Sequence, residues 1–331
     1  MDFNMNMFNN DSILPESVLD FFNYLETIKN KSPNTIRGYK SDLTIFFRFM
    51  KLFKKQVDNL KDIQFNEIDI YDIDSDFLRS IKLRDLYAFM SFVEKERDNK
   101  SYARSRKVAT LKSYFKFLQH KAKIITENPA IELETPKINK RHPIYLTLNQ
   151  SLELLNSLDK ENINYARDYC ILTFFLNCGM RLSELCNIQI SKIKNDTLTI
   201  IGKGNKERTV YLNKACIKAL NNYLKVRGDK NVLPEYKGYL FFSTRNKNIS
   251  KRTVEYLVKK HVTNVGFIDE KYSPHKLRHS AATLMYKYGK VDIRSLQSIL
   301  GHENIATTQI YTHVDDDALR KASNANPLAD L

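Results

Sequence analysis

At 331 residues the chain is long enough for two domains with separate cores, and its 42% apolar content is that of an ordinary water-soluble protein. A net charge of +15 and an isoelectric point near 9.4 imply a polyanionic partner held by salt-sensitive attraction to phosphates. No apolar run approaches the roughly 18 residues of a membrane span. Cys170, Cys178, Cys186 and Cys216 lack zinc-ligand spacing and no signal peptide is recognised, so bilayer insertion and a metal centre are excluded and reduced, cytoplasmic thiols are expected.

Residues 1–128 read as a helical domain. A first helix is expected over about 15–29. Ser32 is a good N-cap with Pro33 at the first helical position, after which Ile36, Tyr39, Leu43, Phe46, Phe47 and Met50 recur at helical spacing. From 56 to 76 seven acids stand against one lysine, a stretch read as a solvated excursion or a short strand that should not face an anion. Further helices are expected over 83–97 and 101–121, the second with Val108, Leu111, Phe115 and Leu118 as one apolar stripe. Between Lys100 and Lys123 there are eight Lys or Arg and no Asp or Glu. Most charge runs are solvated helix faces, but a one-signed run repels itself unless an anion lies against it. Arg104, Arg106, Lys107, Lys112 and Lys116 are therefore expected to contact a DNA backbone.

Residues 129–143 contain Pro129, Pro136 and Pro143 beside Lys137, Lys140 and Arg141. They read as an exposed basic linker, with Lys140 and Arg141 as further DNA contacts. A second domain, 144–331, follows. Helices are expected over 147–158 and over 165–177, the latter almost wholly apolar and ended by Gly179. Alternation on either side of Gly202-Lys203-Gly204-Asn205 predicts a hairpin over 197–212, and helices return from 214. The chain is thus mainly α, with a small antiparallel sheet in its second half.

Breaking a phosphodiester needs positive charge on the nonbridging oxygens, a nucleophile in line with the leaving oxygen, and proton transfer at both ends. Candidates for each role lie in a few short segments. Arg181 sits in Cys178-Gly-Met-Arg181-Leu-Ser-Glu184, and Lys203 in Ile201-Gly-Lys203-Gly. His275 and Arg278 lie in Ser273-Pro-His275-Lys-Leu-Arg278-His, His302 in Leu300-Gly-His302, and Tyr311 in Ile310-Tyr311-Thr312. Ser273 as cap and Pro274 as first residue put His275 and Arg278 on one face at a helix start, where the dipole favours a phosphate. Singly each has a duller explanation, since Tyr311 is one of eighteen tyrosines and a lone arginine in so basic a chain is usually a surface charge. Six such residues in one order are an improbable coincidence.

The set resembles the signature of the tyrosine recombinase (phage integrase) family, most closely its Xer-type members. The resemblance implies a four-helix, SAM-like core-binding domain ahead of a mixed α/β, mostly helical catalytic domain. It further implies that Tyr311 attacks the scissile phosphate to form a 3′-phosphotyrosyl link. Arg181 and Arg278 would stabilise the pentavalent state, Lys203 protonate the departing 5′-oxygen, His275 assist at the tyrosine, His302 bond the phosphate, and Glu184 orient Arg181. No cofactor or metal is implied. The expected partner is a double-stranded recombination site, bound by a homo-tetramer that exchanges strands through a Holliday junction for chromosome dimer resolution. A second related recombinase or an accessory protein is a further candidate partner, and the 315–331 tail is expected to dock on a neighbouring protomer. Alternatives are an integrase of a mobile genetic element, a monomeric tyrosine-type topoisomerase, or a DNA-binding protein without catalysis.

Overall fold

The computed structural model describes residues 14–57, 64–137, 144–202, 207–267 and 272–314. The chain divides into two compact units, 1–140 and 141–331.

The first unit is built from α1 (Glu16–Asn23, continued by a π turn Tyr24–Ile28), α2 (Pro33–Phe53), α3 (Ser75–Arg79), α4 (Leu83–Lys95) and α5 (Ser101–His120). Ser32 caps α2, its hydroxyl accepting from the Thr35 amide. The stripe Leu43, Phe46, Phe47 and Met50 is fully buried. Phe46 meets Phe89 of α4 edge-to-face at 5.1 Å, and Phe47 meets Tyr114 of α5 at 5.8 Å, contacts worth about 0.5–1.5 kcal/mol each beyond the area they bury. The Tyr114 hydroxyl finds Ser17 at 2.7 Å, which satisfies it inside the core.

Two expectations for this unit change. The acidic stretch, of which 58–63 lie outside the described residues, forms no strand where described. It holds a 3-10 turn (Phe65–Glu67) and α3, with Ile68, Ile70 and Ile73 buried between them. Its acids work locally: Asp74 caps α3 by accepting from the Phe77 amide, and Asp72 accepts from Lys51 at 2.8 Å. The one-signed helix is also less free than its charge implied. Lys107 is 3% exposed and donates to the buried Asp42 at 2.7 Å. Its ammonium neutralises a core carboxylate, so the DNA contact expected of it does not stand. Arg106 donates to Asp42 and to the Gly38 carbonyl, and Arg104 pairs with Glu94. Lys116 is exposed and Lys112 half-buried. Lys140 and Arg141 lie outside the described residues.

The second unit gathers around α7 (Tyr165–Cys178), an almost wholly buried helix packed against α9 (Lys214–Val226) and α11 (Pro274–Lys287). Around these lie α6 (Leu148–Asn156), α8 (Leu182–Cys186), α10 (Lys251–Asn264), α12 (Ile293–Leu300) and two 3-10 turns, Ile305–Thr307 and Gln309–Val314. The predicted hairpin is present as β2 (Thr197–Ile201) and β3 (Glu207–Tyr211), with Thr197 opposite Tyr211 and Ile201 opposite Glu207. A two-residue strand, β1 (Ile193–Lys194), adds a third antiparallel member. The hairpin tip with Lys203 and the 315–331 tail lie outside the described residues. All four cysteines are free and buried.

Candidate active site

The chain leaves α7 through Gly179, whose φ of +59° lies in the left-handed region, and a Cβ there would stand 2.8 Å from Leu300 Cδ2. Glycine satisfies both constraints. The turn brings Arg181 to the N-cap of α8, where its amide donates to Glu184 Oε2 at 2.7 Å and its guanidinium to Oε1 at 2.8 Å. Arg208 reaches the same carboxylate from β3, one nitrogen to each oxygen. Strand alternation puts Arg208 on the inner face with Val210, while Glu207, Thr209 and Tyr211 face outward.

Arg278 is 3% exposed and lies in the second turn of α11. It donates to the Gly179 and Leu300 carbonyls, both at 2.7 Å, and so ties the end of α7 to the end of α12. Arg181 donates in turn to the Gly301 carbonyl. Three guanidiniums therefore surround one buried carboxylate, with Arg278 4.0 Å from Glu184. Burial works to raise the Glu184 pKa, but the bonds and charge of Arg208, with the bonds from Arg181, bring it below its ordinary value. Burial, then repulsion from Arg181 and Arg208, lowers Arg278 to about 10 against the pull of Glu184. Arg278 therefore stays charged at neutral pH.

Ser273 is the N-cap of α11 by position but makes no side-chain cap bond; Pro274 opens the helix. His275, in the first turn, is exposed; its pKa is lowered by desolvation, then by Arg278, Lys276 and Arg181. His302 follows Gly301, whose φ is +64°. Its Nδ1 pairs with the Thr308 hydroxyl at 2.9 Å, and burial, then Arg278, Arg181 and Arg208, hold its pKa down at about 4. An open cleft is lined by Arg181, Ser273, His275, Arg278, His302 and Thr307. An adjoining one includes Arg208 and Gly202, the residue before Lys203. Planar forks and neutral imidazoles around one cleft suit a phosphate diester, which accepts bidentate bonds and repays the crowding of positive charge.

Tyr311 is 0% exposed, in the turn Gln309–Val314. Its hydroxyl lies 2.6 Å from Nδ1 of His279, and its pKa is pushed up to about 12 by burial, with Arg278 pulling the other way. Burial, then His275, Lys276, Arg278 and His302, lower His279 to about 3, so the imidazole is neutral and the phenol donates to it. Arg208 and His279 were not singled out from sequence. The in-facing register of Arg208 was a usable signal, as was the helical i, i+4 spacing of His279 from His275, whereas its contact with a tyrosine 32 positions on was not. Among the described residues no group of three or more His, Cys, Asp or Glu is placed to hold a metal.

The phage integrase family model matches residues 145–318, and the model of the phage integrase N-terminal SAM-like domain matches 18–71. A protein named tyrosine recombinase XerC, from Caldanaerobacter subterraneus subsp. tengcongensis, is 57% identical over 318 residues, covering 95% of this chain and 88% of its own. Tyrosine recombinase XerD of Listeria innocua is 32% identical over 298 residues, covering 89% of this chain and 93% of its own. In fold, the chain resembles the XerH site-specific recombinase bound to its difH substrate, with a TM-score of 0.65 at 22% identity over 93% of this chain and 84% of that one. The family match, the named relatives and the arginine, histidine and tyrosine side chains of the second unit lead to one assignment: the chain belongs to the phage integrase family and is a tyrosine recombinase similar to the Xer-type enzymes.

Proposed function

We propose that the enzyme recognises a specific duplex site and exchanges strands between two such sites through a Holliday junction, as a homo-tetramer serving chromosome dimer resolution. In each cleavage the Tyr311 oxygen bonds to phosphorus, the bond from phosphorus to the 5′-oxygen breaks, and a 3′-phosphotyrosyl link remains. The link conserves the phosphodiester energy, so rejoining needs no nucleotide. The phenol proton passes to His275 as the bond forms, since a phenol with so high a pKa is scarcely ionised at neutral pH. Lys203 supplies the proton that the 5′-oxygen takes up. Arg181 and Arg278 carry the charge of the pentavalent state, His302 bonds a nonbridging oxygen, His275 serves the tyrosine side, and Glu184 orients Arg181.

The observation that carries this reading is that Arg181, His275, Arg278 and His302, drawn from three separate segments, line one cleft beside a buried tyrosine. Relatives named for the same chemistry, and a fold neighbour described as bound to its recombination site, support it. The test is covalent capture of genomic fragments on nicked suicide duplexes followed by sequencing. Wild type should trap one short site. Tyr311→Phe, which deletes one oxygen and little surface, should bind that site equally well and form no adduct. An adduct with Tyr311→Phe would assign the attack to another residue.

A further inference from the structure

Tyr311, the proposed nucleophile, does not face the cleft its partners line. Arg181, His275, Arg278 and His302 border that space, whereas neither Tyr311 nor His279 does. The Tyr311 ring is instead packed in a small core of its own with Ala282, Leu296 and Leu300. Its hydroxyl makes a 2.6 Å bond to His279, whose ring lies 4.4 Å from that of His275 at 70°. His279 thus stands between the buried phenol and a histidine on the cleft wall. A group that receives the phenol's bond while the phenol is shut away stabilises the closed arrangement.

We propose that His279 is a positioning residue that latches Tyr311 in a closed state away from the phosphate, and that DNA filling the cleft opens the enzyme by displacing His275 against His279 and breaking this bond. The inference rests on Tyr311 being the nucleophile. Because His279 stays neutral far below neutral pH, the latch answers to DNA and not to physiological pH. A net hydrogen bond of this kind shifts a two-state balance by about two- to tenfold, enough to restrain cleavage off a site without blocking it on one.

The test uses the full-length enzyme with 3-fluorotyrosine at position 311. Its fluorine resonance is followed without DNA and with the captured site as a duplex made uncleavable by a methylene in place of the bridging 5′-oxygen. A buried resonance that moves to a solvent-exposed one on the duplex is expected. His279→Leu, which removes the acceptor, should show part of the exposed signal without DNA. It should also tighten binding to the uncleavable duplex by up to about two- to tenfold, because DNA no longer has to break the bond, with first-turnover cleavage at saturating DNA close to wild type. His279→Asn, whose amide oxygen lies near the place of Nδ1, should return both readings toward wild type. A resonance unmoved by the duplex overturns the latch even if the leucine variant fails to fold. Slower cleavage in the leucine variant also overturns it, making His279 a proton acceptor or a packing contact. Loss of the adduct in Tyr311→Phe keeps these outcomes separate from failure of the nucleophile assignment.

Discussion

Arg181, Arg208 and Arg278 crowd together at the cost of mutual repulsion, and Glu184, whose side chain is 1% exposed, offsets that cost at one point. Removing the carboxylate leaves three partly desolvated cations without their counter-charge. Glu184→Ala should therefore destabilise the second unit by about 3–5 kcal/mol in chemical denaturation. Glu184→Gln, which keeps an acceptor, should cost less. A loss under about 1 kcal/mol in the alanine variant would mean that solvent already screens the cluster. Arg208 is the more telling residue for rate. Arg208→Lys keeps the charge and loses the fork that holds both Glu184 oxygens, so Arg181 is less firmly held. Charge-assisted bonds of this class are worth about 1.5–3 kcal/mol, so single-turnover cleavage should slow by about tenfold or more while DNA affinity changes little. The parity of β3 shows Arg208 facing inward, but only the fold shows that what it meets is the carboxylate of Glu184.

At the scale of elements, α5 shows how far a charge pattern can be read. Its apolar stripe is where the 3.6-residue period puts it, with Val108, Leu111, Phe115 and Leu118 all buried. Its basic residues divide by a tertiary fact the pattern does not contain, the burial of Asp42 on α2. That carboxylate takes Lys107, Arg106 and Thr110 as donors. Among the described residues Lys112 and Lys116 have no such carboxylate partner, and we propose that these two meet phosphates. The two groups predict different phenotypes. Neutralising Lys112 and Lys116 together should weaken binding to every sequence and reduce the slope of log affinity against log salt by roughly one to two. Lys107→Met should leave that slope alone and cost about 1.5–3 kcal/mol of stability, since the buried Asp42 keeps Arg106 and Thr110 as donors but loses its buried cation. Salt titration of DNA binding and urea unfolding of the same variants separate the readings, and an unchanged slope in the double variant would return α5 to an ordinary solvated face.

For the whole molecule, local signals were legible and long-range ones were not. The Ser32-Pro33 start of α2, the apolar run of α7, the glycine end at 179 and the hairpin register follow from residues a few positions apart. The burial of Ile70 and Ile73 in the first core and the contact between His279 and Tyr311 depend on segments far apart in sequence, whereas β1 pairs with its neighbour β2 but at two residues is too short to show a period. The same distribution of buried groups predicts an acid response that differs between the two units. In the second unit His279 titrates at about 3 and His302 at about 4, against about 6.5 for an unfolded histidine. Between those values the unfolded chain binds protons that the folded one refuses, so stability rises with pH and is lost as pH falls from about 6.5. Each histidine contributes a slope of up to about 1.4 kcal/mol per pH unit, and the lowered Glu184 adds to it below its ordinary range. In the first unit burial raises Tyr39 and Tyr114 and lowers Arg48, and these three titrate on the alkaline side. Hydrogen exchange near pH 4.5 should therefore release α11, α12 and the Tyr311 turn while α2 and α5 keep their protection. His302→Asn should flatten the pH dependence of the second unit, and simultaneous loss in both units would defeat the argument. Bound DNA should delay the loss, because a phosphate beside His302 favours the protonated imidazole that the free enzyme excludes.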